Sequence, residues 1–93
     1  MRVQQMTSPK SGNPVANQFV INHNGKKYFQ SYATIIAVKD EFGLITLNYD
    51  YWDYSRTTGK YRNEFLSENT AQTRAKIKSG EYKTAPDGLI KII

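Results

Sequence analysis

The sequence predicts an α+β domain in which a mainly antiparallel sheet of four or five strands, built from two hairpins, is followed by two short helices. Three observations support this prediction. An Asn24–Gly25 pair separates two segments rich in aromatic and β-branched residues, which is the pattern of a hairpin. The period of the apolar residues changes from about 2 to about 3.6 near Asp53. Segments with strand patterns precede segments with helix patterns, an order typical of α+β domains.

The chain has 93 residues, which is enough for one domain. We expect residues 1–16 to form a flexible arm and residues 17–93 to form a single α+β domain. The arm is predicted because the segment from Thr7 to Pro14 is polar, contains two prolines and a glycine, and offers no apolar period to a core.

The first hairpin is predicted around Asn24–Gly25. Both residues of its two-residue loop need a positive φ, and such a loop pairs Ile21 with Tyr28 and Phe19 with Gln30. Alternation along the strands then places Phe19, Ile21 and Tyr28 on one face of the sheet. We expect this face to point into the core.

The second hairpin is predicted from residues 34–38 and 44–49, which are rich in apolar and β-branched residues and flank a polar turn. Short apolar runs interrupt the alternation in both strands. The preferred inward set is Ile36, Val38, Ile45 and Leu47.

Two helices are predicted over residues 57–66 and 71–79. Tyr61 and Phe65 lie four residues apart and therefore share one face of the first helix. Gly80 suits the left-handed C-cap of the second helix, because glycine adopts positive φ without a steric cost.

The C-terminal segment is strongly apolar. Residues 82–84 are predicted to add a last strand, and Leu89–Ile93 contains four large apolar residues in five. Such a segment needs a partner, so we expect it to dock as an edge strand on its own sheet or across a symmetric interface in a homodimer. Alternation places Ile90 and Ile92 on one face.

The residues that commonly perform catalysis are scarce. The chain has no cysteine and one histidine, His23, which lies beside the predicted hairpin turn and excludes a multi-histidine metal site. Asp50 and Asp53 are the carboxylate pair set among aromatic residues, but Asp53 is expected to cap the first helix. We therefore expect no enzymatic activity, no catalytic residue, no cofactor and no metal. The apolar runs are too short to span a membrane.

A mixture of aromatic and basic residues points to binding instead. The net charge is +5, and the segment from Tyr49 to Leu66 combines aromatic and basic side chains. Such a mixture is typical of protein-binding hot spots and of proteins that bind single-stranded nucleic acid by stacking and by phosphate contacts. It is equally consistent with a strand-to-helix corner that covers the core. The candidate binding residues are Tyr51, Trp52, Tyr54, Arg56, Lys60, Tyr61, Arg62, Arg74 and Lys78.

One segment, Tyr51-Trp52-Asp53-Tyr54-Ser55, is the most specific part of a wider pattern. The pattern continues through residues 17–19, 28–32, 35–37, 56–62, 65–66, 76–77 and 80–82. With these residues, the stretch from Asn13 to Tyr82 resembles a family of small uncharacterised proteins of tailed bacteriophages. The resemblance implies a phage source and a setting in the host cytoplasm. We expect a non-enzymatic binding protein that acts on a host protein, in host takeover or counter-defence; a single-stranded nucleic-acid-binding protein is the alternative.

Overall fold

The computed structural model describes residues 1–92, and its six strands form one sheet in the order of the chain. Neighbouring strands are antiparallel from the first to the fifth, and the sixth runs parallel to the fifth. The α+β class is confirmed. The strands are β1 (Arg2–Thr7), β2 (Pro14–His23), β3 (Lys26–Ser31), β4 (Thr34–Lys39), β5 (Ile45–Asn48) and β6 (Lys83–Ala85). The helices are α1 (Arg56–Leu66) and α2 (Thr70–Ser79), and a short 3-10 helix covers Asp87–Leu89.

The structure corrects the arm predicted for residues 1–16. Within this segment, β1 pairs with β2 from Arg2 opposite Asn22 to Thr7 opposite Pro14. Met6 packs against the core, while the other side chains of β1 are exposed. An edge strand needs backbone partners on one side only, so a polar segment without an apolar period can still form one.

The first hairpin has the predicted register, with Ile21 opposite Tyr28 and Phe19 opposite Gln30. The predicted core face is buried, since Ile21 and Tyr28 are 3% and 1% exposed, but the helices cover the opposite face, which is buried as well. Phe29 points to the helices, where its ring stacks on the ring of Phe65 at a centroid distance of 5.9 Å. Because successive strand residues alternate between faces, Tyr28 and its cross-strand partner lie on the face away from the helices.

A β-bulge changes the alternation in β4. Phe29 lies opposite Ala37, whereas Gln30 lies opposite Ile35, so Ile36 is an extra residue in the strand. Ile36 and Ala37 are consequently both buried in the core beneath the helices.

Because of the bulge, three of the four residues predicted to point inward lie on the face covered by the helices, and the fourth does not. Ile36 and Leu47 are buried in the core between sheet and helices, and Ile45 packs against it. Val38 instead lies opposite Tyr28 on the other face of the sheet.

The core between sheet and helices is supplied by both layers. Tyr61 is 4% exposed, and Phe65 packs beside it, so the predicted apolar face of α1 is confirmed. The buried cluster consists of Phe29, Ile36, Ala37, Leu47, Tyr61 and Tyr82.

The C-terminal tail docks on the other face of the sheet. Ile90 is 7% exposed and lines a small cavity with Tyr28, Val38 and Thr46, while Leu89 is 71% exposed. The tail thus packs on a sheet face rather than pairing as an edge strand. Ile90 is buried and Ile92 is half-buried, whereas Lys91 between them is exposed, in agreement with the predicted alternation. Ile93 lies outside the described residues. The homodimer through this tail stays a prediction.

Replacing Ile90 with Ala should lower the free energy of unfolding by about 2–4 kcal/mol, because truncating a buried side chain leaves a cavity. The matched change Leu89→Ala affects an exposed neighbour and should cost less than about 0.5 kcal/mol. Urea denaturation compares the two, and equal effects would contradict the docking. Sedimentation velocity on both variants tests whether the tail also joins two copies.

Candidate functional site

The segment between β5 and α1 carries most of the candidate residues. Hydrogen bonds of the Asn48 side chain hold the start of this segment in place. The side chain of Asn48 is fully buried. Its Oδ1 accepts hydrogen bonds from the backbone N–H groups of Asp50 and Tyr51, at 3.0 and 3.1 Å. Its Nδ2 donates to the carbonyl oxygen of Ile35 and to Oδ1 of Asp87, at 3.0 and 2.8 Å. One buried amide therefore ties this turn to β4 and to the tail.

Helix α1 begins at a serine cap. Oγ of Ser55 accepts from the backbone N–H of Thr58 at 3.1 Å, and Oγ1 of Thr58 lies 2.9 Å from Oγ of Ser31 on β3. The expectation that Asp53 caps this helix was wrong. A cap must be the residue that precedes the first helical one, and Ser55 occupies that position.

Arg62 is the buried centre of this region. Its side chain has no exposed surface. It donates hydrogen bonds to the carbonyl oxygen of Trp52, to Oδ1 of Asn63 at 3.0 Å and to Oγ1 of Thr70 at 2.7 Å. One guanidinium thereby links the turn before α1, α1 itself and the start of α2.

Trp52 and Asp53 complete the surroundings of this guanidinium. The guanidinium carbons of Arg62 and Arg74 lie 5.1 and 5.5 Å from the centre of the Trp52 ring, within cation–π range. Asp53 is 2.9 Å from Arg74 and 3.6 Å from Arg62. Burial lowers the pKa of Arg62 from its ordinary value, and the carboxylate of Asp53 opposes that shift. The guanidinium stays protonated, because arginine titrates far above neutral pH.

A second polar cluster joins α2 to the residues before β6. The side chain of Glu68 is 5% exposed and accepts hydrogen bonds from Thr73, Lys76 and Tyr82 at 2.5, 2.8 and 2.6 Å. Burial acts to raise the pKa of Glu68, but the three hydrogen bonds outweigh it and leave the pKa below its usual value. Burial and the hydrogen bond to Glu68 raise the pKa of Tyr82 to about 12. No spacing in the sequence predicts this cluster.

A groove of about 590 Å³ lies between the β3–β4 turn and the start of α1. We call it the tyrosine groove. None of its lining residues is charged. They are Ser31, Tyr32, Ala33, Thr34, Ile36, Tyr51, Tyr54, Ser55, Thr57 and Thr58.

Three tyrosine rings dominate this groove. Tyr32 and Tyr54 are 58% and 69% exposed, and Tyr51 is half-buried. The rings of Tyr51 and Tyr54 meet edge to face, with centroids 5.2 Å apart. Such a pair adds stabilisation beyond the area it buries. The contact between Tyr51 and Tyr54 thus holds the two rings that line one side of the groove.

Tyr32 is a site residue that sequence reasoning missed. Its φ of 57° lies in the left-handed region, which is uncommon for a residue with a side chain. Its N–H donates to the carbonyl oxygen of Asn17 at 2.7 Å, and its own carbonyl accepts from Nε2 of Gln30 at 2.7 Å. The signal was an aromatic residue at a tight turn where glycine or asparagine is usual.

The structure brings five of the predicted site residues to one region of the surface. Tyr54 lies between the tyrosine groove and a shallow depression whose lining includes Arg56 and Lys60. Tyr51 and the half-buried Trp52 lie in the same turn. All five belong to residues 51–60, so proximity along the chain accounts for this part of the prediction.

The other four predicted site residues do not form that surface. Tyr61 and Arg62 are buried, so their assignment to a binding surface is corrected: Tyr61 belongs to the core and Arg62 to the polar network beneath it. Arg74 is exposed but is engaged by Asp53. The side chain of Lys78 is exposed near the end of α2 and forms no ion pair within residues 1–92.

The carboxylate pair of the sequence analysis has structural partners. Asp50 accepts a hydrogen bond from the backbone N–H of Asp87 at 3.0 Å, and Asp53 pairs with Arg62 and Arg74. Among residues 1–92, no three acidic, histidine or cysteine side chains are grouped so that they could hold a metal ion. No helix in that range has the length and apolar character needed to cross a membrane.

Fold and site together define a small α+β domain with an uncharged tyrosine groove beside a buried arginine network. The chain belongs to DUF8033, a family of unknown function whose model matches residues 1–81. The match includes β1, which the resemblance to phage proteins left out. No curated protein and no solved structure matches the chain.

Arg62→Met should lower the free energy of unfolding by about 3 kcal/mol, because it removes the side-chain donor to the carbonyl of Trp52 and leaves the hydroxyl of Thr70 with the longer bond from Asn63 at 3.4 Å. Arg56→Met removes the same charge from the exposed start of the same helix and should cost less than about 0.5 kcal/mol. Thermal and urea unfolding measure both. If the two variants are equally stable, the buried guanidinium does not organise the region.

Stability should fall in alkali through Tyr82. Its folded-state pKa of about 12 is above the unfolded value of about 10, so its contribution is complete below pH 10 and is lost as the pH rises toward 12. The advantage of the wild type over Tyr82→Phe should therefore shrink by about 2–3 kcal/mol across that range. Urea unfolding of both proteins from pH 9 to pH 12 measures the difference. An advantage that stays constant would contradict the assignment.

Proposed function

We propose that this protein is a phage-encoded, non-enzymatic binding protein that acts on a host protein in the host cytoplasm, in host takeover or counter-defence. The observation that supports it is the tyrosine groove. Tyrosine is enriched in protein interfaces because its large rigid ring has a polar tip and loses little conformational entropy on binding. The phage setting is supported by the resemblance carried by residues 51–55.

The chemistry of the groove favours a segment of another protein. Its volume of about 590 Å³ is in the range of small ligand pockets, and its lining offers hydroxyl groups beside apolar surface. A groove without a charged lining residue offers no ion pair to a bound anion, although the chain carries a net charge of +5. A neutral peptide segment with apolar side chains and backbone hydrogen-bonding groups suits this lining.

The walls of the groove are held before any partner arrives. Ser55 caps α1, and Thr58 joins the helix to Ser31 on β3. Tyr51 packs against the core. A binding surface that is already ordered loses less entropy on association than a mobile one, which favours affinity.

Substitution of the exposed tyrosines tests the proposal. Tyr32→Ala and Tyr54→Ala should each weaken binding of a captured host protein at least tenfold, because each removes an aromatic contact worth more than about 1.4 kcal/mol. Tyr49→Ala is the matched control, since Tyr49 is 68% exposed but does not line the groove. Affinity capture from host lysate identifies the partner, and calorimetry with the purified partner measures the affinities. A partner whose affinity is unchanged by both groove substitutions would contradict the proposal.

The alternative, binding of single-stranded nucleic acid at the same aromatic and basic surface, has weaker support. Of the basic residues predicted for it, Arg62 is buried and Arg74 is paired with Asp53. Arg56 and Lys60 are the exposed cations nearest to the groove. A stacking site needs free cations beside the stacked bases, but Arg56 and Lys60 line the neighbouring depression rather than the tyrosine groove, so we favour a protein partner for the groove.

A further inference from the structure

A row of basic side chains crosses four strands at the far end of the sheet. The backbone register places Arg2 opposite Asn22, Asn22 opposite Lys27, and Lys27 opposite Lys39. Residues opposite one another in adjacent strands project from the same face. Asn22, Lys27 and Lys39 line one groove with Phe65 of α1, so this is the face that carries the helices. We call Arg2, Lys27 and Lys39 the basic row.

This arrangement is unfavourable for the isolated protein. Like charges directly opposite one another in neighbouring strands are destabilising. Within residues 1–92, the basic side chains that form ion pairs are Arg62, Arg74 and Lys76, none of which belongs to the row. Arg2, Lys27 and Lys39 are all exposed. A bound polyanion would attract all three side chains and offset the repulsion between Lys27 and Lys39, which lie directly opposite each other.

A groove of about 410 Å³ lies between part of the row and the end of α1. Gln4 and Asn22 supply amide groups to its lining, whereas the amide of Gln5 donates to the carbonyl oxygen of Val15 at 2.8 Å. Glu64 is the acidic residue at its wall. Amide side chains can donate to and accept from the edges of bases. Cations and amides side by side thus fit a ligand that has both phosphates and bases.

The length of the row also fits a chain of phosphates. Strands in a sheet lie about 4.8 Å apart, so the row extends over about 14 Å. A ligand with one carboxylate would use only one of these cations, whereas a chain of phosphates can pair with all three. Single strands expose both their phosphates and the hydrogen-bonding edges of their bases, which duplexes hide in part.

We infer that the basic row and the groove beside it bind the backbone of a single-stranded nucleic acid. This site is separate from the tyrosine groove and does not depend on the function proposed for it. Tyr54→Ala should accordingly leave it unchanged.

Salt dependence gives the sharpest test, with a fluorescently labelled 12-nucleotide oligo-dT strand as the probe. Each phosphate contact contributes a slope of about −0.7 to the dependence of log affinity on log salt. Three contacts predict that wild-type affinity falls roughly 18-fold between 50 and 200 mM salt. For Lys27→Gln/Lys39→Gln the fall should shrink to roughly 3-fold, and affinity at 50 mM salt should drop roughly 60-fold. Fluorescence anisotropy measures all of these values.

Lys60→Gln/Lys78→Gln is the matched control, because it removes the same charge from exposed positions on the two helices. We expect it to change affinity at 50 mM salt less than about 3-fold. Lys27→Arg/Lys39→Arg should bind like the wild type. Melting temperatures show whether a loss of binding is caused by a loss of folding. The glutamine substitutions in the row should not lower the melting temperature, because they relieve repulsion.

Four outcomes would overturn the inference. They are no measurable binding at 50 mM salt, a larger loss in the helix variant than in the row variant, loss of binding in the arginine variant, and equal binding of poly-glutamate. The last result would assign the row to an acidic protein surface. None of these outcomes bears on the tyrosine groove.

Discussion

The guanidinium of Arg62 is the interaction on which the helical layer depends. A charge without exposed surface is costly unless it is hydrogen-bonded, and here three segments supply acceptors for Nη1 and Nη2, while Nε has none among residues 1–92. Trp52 gives a carbonyl and an aromatic face, and Thr70 gives a hydroxyl from the next helix. Hydrogen bonding of the Arg62 guanidinium therefore positions the turn before α1. This turn also forms one wall of the tyrosine groove.

Polar contacts also hold the second helix, which has little apolar surface of its own. Thr73 is its buried residue, and its hydroxyl donates to Glu68. The hydroxyl of Tyr82, just before β6, donates a hydrogen bond to the same carboxylate. The helical layer is therefore fixed by two buried ionic centres, with Phe65 and Tyr61 providing the apolar contact to the sheet. Such centres specify one arrangement, because other packings would leave charges unpaired.

Local signals predicted the parts of the fold that depend on local geometry. The Asn24–Gly25 turn defined the register of the first hairpin, because turn type fixes which residues pair. It could not define the face, since Tyr28 and Phe29 are adjacent and both are buried. The apolar run from Ile35 to Val38 interrupts the alternation, but it does not show which residue is the extra one of the bulge. Arg62 could not be recognised as buried, because its partners come from segments on both sides of α1.

The order of the strands in the sheet is the order in which they are synthesised. Each of the first five strands can pair with its predecessor as soon as both exist, so no early strand waits for a distant partner. Proteins dominated by such short-range contacts fold rapidly. The exception is β6, which joins β5 in parallel only after the intervening helices are made. Among the strand pairings, closure of the loop between β5 and β6 therefore has the greatest entropic cost, and we expect it to limit the rate at which the sheet is completed.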